Sequence, residues 1–348
     1  MKWIVGYQMR EDDAFAKSII AHADEIGELY FSWGDFPNGR SSLSDRDGET
    51  LFERQLRQKA DLERFSEAGL HFNLLFNGNC YGRDSQSRAF FEKVGNTVEY
   101  VARSFGLSSV TTSSILIAKF LRNNFSELDV RASVNMEIGT TEGMEYVSEY
   151  FTSYYIKREC NRDLKRLREL KAWSDANGKQ IYLLANSGCL NNCSAHNFHD
   201  NLVAHEAEIA KMDNGYEFRG VCWDYLNDPQ RQVALIRNTN FIRPEDVALY
   251  EEFTGAVKLA TRTNRDPVRV LEAYSRGRYA GAVQSLLEPD HSGVLYPMIL
   301  ENSRFPTDFG HKIMTCHKKC SECGYCDRVF EQALIDLGGY TYVDSKDD

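Results

Sequence analysis

Short apolar runs alternate along this chain with longer stretches whose apolar residues recur every three or four positions. The short runs predict strands at Trp3–Tyr7, Leu29–Phe31, His71–Phe76, Ser109–Thr112, Val130–Val134, Tyr154–Ile156, Ile181–Ala185 and Ala256–Ala260. The longer stretches predict helices. Ala14–Ile26 carries Phe15, Ile19, Ile20, Ala23 and Ile26 on one face, and Leu51–Phe65 carries Leu51, Leu56, Ala60, Leu62 and Phe65. Phe90–Phe105, Ile115–Phe125, Leu164–Ala176, Leu202–Met212 and Val268–Tyr279 read the same way, and Gly27, Gly69, Gly106 and Asn177-Gly178 read as stops.

Strands that alternate with helices bury both faces of a parallel sheet. Eight of them between residues 3 and 260 match the usual span of a TIM-like (β/α)8 barrel, about 250 residues. An open doubly wound sheet is the alternative, but neither the dinucleotide fingerprint nor a P-loop is present. The expected organisation is a barrel over 1–279, with an insertion at 188–238, and a C-terminal extension over 280–348. The extension holds a short helix at Val329–Leu337 and an acidic, fraying tail at Asp344–Asp348.

A barrel places its chemistry at the C-terminal ends of its strands. Those ends carry Gln8 and Arg10; Ser32, Trp33 and Asp35; Asn77 and Asn79; Ser113; Ser133 and Asn135; Arg158 and Glu159; Asn186, Ser187 and Cys189; Arg262 and Thr263. Such a ring suits a polar substrate. Asn135, Arg158, Arg243 and Arg262 are its candidate catalytic or substrate-holding groups, the arginines because a guanidinium offers a carboxylate two parallel donors.

The nine cysteines change the picture most. Cys189, Cys193 and Cys222 fall in the insertion. Cys316, Cys320, Cys323 and Cys326 fall within one C-terminal run, Thr-Cys-His-Lys-Lys-Cys-Ser-Glu-Cys-Gly-Tyr-Cys-Asp. Neighbours so close cannot easily reach disulfide geometry, whereas one tight loop can point several thiolates at a common centre. One or two iron–sulfur clusters of the 4Fe-4S kind are expected, with zinc the alternative for the C-terminal set. Three thiols of the insertion can hold three irons, leaving the fourth to substrate, water or a tail cysteine. Asn186 and Ser187 are candidate hydrogen-bond donors to cluster sulfur. Cys316-x3-Cys320-x2-Cys323 also has the spacing of radical S-adenosylmethionine enzymes, although there it follows the first strand. Cys80 and Cys160 stand alone and read as packing residues. His196 and His199 lie three apart, close to His205, as partners of a cluster, substrate contacts or metal ligands of a hydrolase; His317 is an alternative ligand in the tail loop.

A net charge of −10 argues against broad phosphate-backbone binding, leaving Lys157–Arg168 as the one local basic stretch. No run of about 18 apolar residues occurs and the first residues are too soon charged for a secretory signal, so a cytoplasmic protein with no membrane span is expected.

Val130-Arg131-Ala132-Ser133-Val134-Asn135-Met136, Leu183-Leu184-Ala185-Asn186-Ser187-Gly188-Cys189, Phe241-Ile242-Arg243-Pro244-Glu245-Asp246 and Val257-Lys258-Leu259-Ala260-Thr261-Arg262-Thr263 resemble segments of the collagenase-like peptidase family, peptidase group U32. The similarity covers most of 1–275 and not the cysteine-rich tail. It implies a barrel and, as in several members, a four-iron cluster on four cysteines, here with Cys189, Cys193 and Cys222 among them. It implies oxygen-independent hydroxylation of a small molecule or an RNA base, or peptidase activity, and it allows a non-catalytic cluster subunit that works with a partner protein. The substrate class stays open between small molecule, peptide and RNA.

Overall fold

The computed structural model describes residues 1–39, 49–212, 215 and 218–338. Its centre is a closed barrel of eight parallel strands in sequential order: β1 (Lys2–Gly6), β2 (Ile26–Phe31), β3 (Phe72–Phe76), β4 (Leu107–Thr112), β5 (Asp129–Ala132), β6 (Ser153–Tyr155), β7 (Gln180–Leu184) and β8 (Ala256–Leu259), which closes on β1. Every predicted strand is present, displaced by at most three residues at either end.

The flanking helices form where local chemistry starts them. Thr50 opens the helix Leu51–Glu67 with a capping box: its hydroxyl accepts from the Glu53 amide at 3.3 Å while Glu53 Oε2 accepts from the Thr50 amide at 2.8 Å. Ser87 caps Arg88–Phe105 and Ser114 caps Ile115–Asn124. Their apolar faces close on the outside of the sheet in one continuous core that includes Phe15, Leu62, Phe65, Val94, Val98, Leu121, Leu167 and Leu271. A smaller set faces inward: Ile4, Tyr30, Leu75, Tyr155, Tyr182 and Leu184.

Three predicted helices differ. Ala14–Ile26 ends at Ala21, because Ile26 already belongs to β2 and Gly27 sits inside that strand rather than stopping a helix. Leu202–Met212 is replaced by His196–Ala204 and a short turn at Glu206–Ile209. Val329–Leu337 is a helix only at Tyr325–Ala333. Its last residues form β10 (Leu334–Asp336), antiparallel to β9 (Met298–Leu300), since that pairing satisfies backbone groups a longer helix would leave to solvent. The acidic tail Asp344–Asp348 lies outside the described residues.

The extension packs a core of its own, with Phe305, Phe309, Ile313 and Val329 against Leu235 and Ile236 of the insertion and Phe241 just beyond it. It is also stitched to β7. Asn186 Nδ2 donates to the carbonyls of Ala260 and Leu286, both at 2.7 Å, its Oδ1 accepts from the Ala260 amide at 2.6 Å, and the Gly188 amide donates to the Glu288 carbonyl at 3.0 Å.

Candidate functional site

The floor of the barrel mouth is built by the last inward-facing residues of the strands. Lys258, one residue before the end of β8, lies alongside Ile4 and Leu184 in the register. Its ammonium sits over the rings of Tyr30, 4.1 Å from the centroid, and Tyr155, 4.5 Å. Gly6 makes room for this arrangement: a Cβ there would come within 2.6 Å of the Tyr30 ring and 2.8 Å of Arg262 Cγ. Burial, reinforced by Arg262, drags Lys258 down to about 7. Deeper in the barrel, Glu28 accepts from Arg131 and from the Ser109 hydroxyl.

One side of the rim carries a polar network. The His196 ring donates from Nδ1 to Glu137 Oε1 at 2.7 Å and accepts at Nε2 from Arg158 Nη2 at 2.8 Å, an arrangement that assigns its proton to Nδ1. Asp200 lies 3.3 Å from the same Nε2 and accepts from Asn79. Asn135 donates to the Asn77 carbonyl at 3.1 Å, and Arg262 donates to Asn38 at 3.0 Å. Asn135, Arg158, His196 and Arg262 thus gather at the mouth.

Arg243 does not. Its guanidinium forks onto Asp246, at 2.7 and 3.0 Å, and stacks over Phe305 and Phe309 in the seam with the extension, so it holds the fold rather than a substrate carboxylate. Asn186 likewise spends both of its amide hydrogens and its carbonyl on backbone, leaving no donor for cluster sulfur. Ser187 accepts from the Cys189 amide at 3.4 Å and so shapes the loop that carries that thiol. His199 turns away from His196 and packs its ring on Phe218, so the two histidines take different partners.

None of the nine cysteines is in a disulfide. Seven of them belong to the two sets that the sequence spacing defines, and Cys80 and Cys160 stand apart. Burial, with Cys189 and Cys193 close by, pushes the Cys222 thiol up to about 11. Burial likewise pushes Cys326 up to about 11, with Cys316 and Cys320 adding to the effect, whereas Cys323 is exposed. Among the described residues, no three or more His, Cys, Asp or Glu side chains are gathered closely enough to hold a metal ion, so neither set is drawn tight around a point.

Each set has an unsatisfied polar neighbour. Beside Cys316 and Cys326 lies Arg162, fully buried, with Nη1 bonded to the Ile236 carbonyl and with Nε and Nη2 lacking any partner. Near the first set lies His291, 1% exposed, against Trp223, which follows Cys222, and close to Gly188, which precedes Cys189; burial holds its imidazole down at about 4.

Sequence reasoning missed several of these groups. It assigned Cys80 to packing, yet a hydrogen bond with His205 holds the Cys80 thiol below its usual range, and His205 Nδ1 donates to Glu208 Oε2 at 3.0 Å. Cys160 is a packing residue as expected, raised to about 12 by burial. Lys258 had a signal, a lone cation between Val257 and Leu259 in an apolar strand. Arg162 and His291 had none.

No family model matches the chain. An uncharacterised protease of Methanocaldococcus jannaschii is 23% identical over 318 residues, 89% of each protein. The solved structure of a U32 peptidase superposes with a TM-score of 0.53 at 14% identity, covering 74% of this chain and 91% of that one. The chain is similar to the collagenase-like U32 peptidases. The likeness runs along nearly the whole length in sequence, and the fold that both share is the barrel. No helix among the described residues is long and apolar enough to cross a membrane.

Proposed function

We propose that this chain is a barrel enzyme that modifies a polar substrate at its mouth with the help of a thiolate-bound iron–sulfur centre, with oxygen-independent hydroxylation as the reaction class. The observation that carries this reading is Arg162. A guanidinium taken fully out of water with two nitrogens unpaired is costly unless a negative charge faces it. Asp246, which also acts on Arg162, is already forked onto Arg243, which leaves Cys316 and Cys326 as the groups that could face it as thiolates, and metal binding is what keeps thiols ionised in such a place. Cys316, Cys320, Cys323 and Cys326 would hold this centre. Cys189, Cys193 and Cys222 would hold a second, with His291 beside them. When bound, a centre of this kind supplies one-electron transfer. The chain's own contribution is the rim of Asn135, Arg158, His196 and Arg262, which binds and orients a polar substrate by donors fixed in advance.

The test is anaerobic purification with counts of iron, sulfide and zinc. About four irons per chain fits one cubane centre and about eight fits two. Zinc without sulfide in the tail set would give the structural alternative, and a metal-free, fully active chain would overturn the proposal.

A second reading, peptide hydrolysis, rests on Cys80–His205–Glu208: a thiol lowered by a histidine that a carboxylate orients is the arrangement of an activated nucleophile. The archaeal relative is named a protease and the superposed structure a peptidase. His196 offers less to the metal-dependent version, because Arg158 occupies its only lone pair. Hydrolysis of a peptide library that disappears in Cys80→Ser would favour this reading, and hydrolysis unchanged in that variant would remove it.

A further inference from the structure

We propose that Lys258 is a substrate-reactive amine at the floor of the barrel mouth, where it takes a small carbonyl compound, an aldehyde or a keto acid, as an imine. None of the cysteines takes part in this chemistry, which is independent of any iron–sulfur centre.

Lysine is almost never buried without a partner, because its ammonium loses its water. A lysine kept for structure would be given a carboxylate. Here the two buried carboxylates that act on it are engaged elsewhere, Glu28 by both terminal nitrogens of Arg131 and by the Ser109 hydroxyl, and Glu288 by the Thr263 amide. Lys258 Nζ makes no hydrogen bond or ion pair among the described residues. It is offered only two ring faces, Tyr30 at 4.1 Å and Tyr155 at 4.5 Å. Ring faces stabilise a cation by about 0.5–2 kcal/mol, which does not replace a lost hydration shell.

The charged and aromatic groups facing the amine come from five parts of the chain. Arg262, beyond β8, and Arg131, on β5, oppose its protonation, while Glu28, on β2, and Glu288, in the extension, favour it. Tyr30 and Tyr155 line it from β2 and β6. Burial is larger than any of them and leaves the group near half neutral at pH 7. A neutral amine held against aromatic ring faces and out of water is the setting of imine-forming lysines. Its position also fits: it lies at the strand ends that carry chemistry in barrels of this kind.

The step balances without a co-reactant. The neutral amine attacks the carbonyl carbon, both of its nitrogen protons pass in turn to the carbonyl oxygen, and that oxygen leaves as water while the C=N bond forms. Arg262, whose guanidinium carbon lies 5.6 Å from the centroid of the same Tyr30 ring, is placed to meet an acid group on the same small molecule.

The experiment is reductive trapping on the native, full-length chain. Protein is incubated with glyoxylate and cyanoborohydride at pH 7, digested, and the modified lysines are mapped by mass. Lys258 is expected to label at least about tenfold faster than Lys165, whose side chain is 89% exposed. Labelling at Lys258 should reach half its maximal rate near pH 7, and Lys258→Arg should abolish it at that peptide alone. Because the mapping uses the unaltered protein, the outcome does not depend on a variant folding. Lys258 unlabelled in the folded chain, or labelled no faster than Lys165, overturns the proposal.

Discussion

Arg131 and Glu28 meet inside the barrel as two parallel hydrogen bonds, Nη1 to Oε1 and Nη2 to Oε2, each 2.9 Å. The residues are far apart in the chain, on β5 and β2, and both side chains are less than a tenth exposed. Removing one partner strands the other charge away from water. Arg131→Met is therefore expected to cost about 3–5 kcal/mol in urea unfolding. The double variant Arg131→Met, Glu28→Leu should recover most of that loss. A single variant that loses under about 1 kcal/mol would show that water reaches Glu28.

Lys258 should set a pH dependence of stability. In the unfolded chain its amine titrates near 10.5, and in the folded chain near 7. Between these values the unfolded state holds a proton that the folded state does not, so stability rises as pH climbs from about 7 toward about 10.5. Below 7 the charge-burial penalty is present in full, with an upper limit of roughly 4–5 kcal/mol. Lys258→Met should then stabilise the protein most at pH 6 and progressively less toward pH 10. Melting curves of the two proteins that stay parallel across this range would contradict the burial of an unpaired amine.

Asn186 separates a structural role from a cofactor role. Asn186→Ala deletes three hydrogen bonds to backbone groups that stay buried, an expected loss of roughly 2–4 kcal/mol. Metal content per folded chain should be unchanged, since the side chain has no donor left for sulfur. A variant that keeps its melting temperature and loses iron would reverse the assignment.

The cysteines divide by reactivity. With its thiol lowered by His205, Cys80 should be alkylated by iodoacetamide at neutral pH well before buried Cys160, and His205→Ala should slow that reaction several-fold. Cys189→Ala and Cys320→Ala, made separately, should each lose one class of bound metal and leave the other. Loss of both from either variant would mean that the two sets serve a single centre.

The barrel could be read in advance because each strand of a parallel sheet is buried on both sides and appears as an apolar run, from Phe72–Phe76 to Ala256–Leu259. That same property hides which strand residues face inward, so Lys258 and Arg131 could not be placed at the centre. The C-terminal cysteines could be grouped in advance because they lie close together in the chain, from Cys316 to Cys326. Arg243 and Asn186 were misread because their roles depend on Asp246 geometry and on carbonyls 74 and 100 residues away. The Cys80–His205 contact joins the β3 loop to the insertion, and no spacing rule connects them.

The seam around Asn186 and Glu288 has a consequence for how such proteins diversify. Ser187 bridges to Glu288, the Glu288 amide donates to the Asn186 carbonyl, and a side chain at Gly188 would collide with the Pro289 carbonyl. The last seventy residues are therefore not a cassette that recombination could exchange freely for another. Whatever they contribute has to be inherited together with the loop after β7, and changes on one side of the seam must be matched on the other.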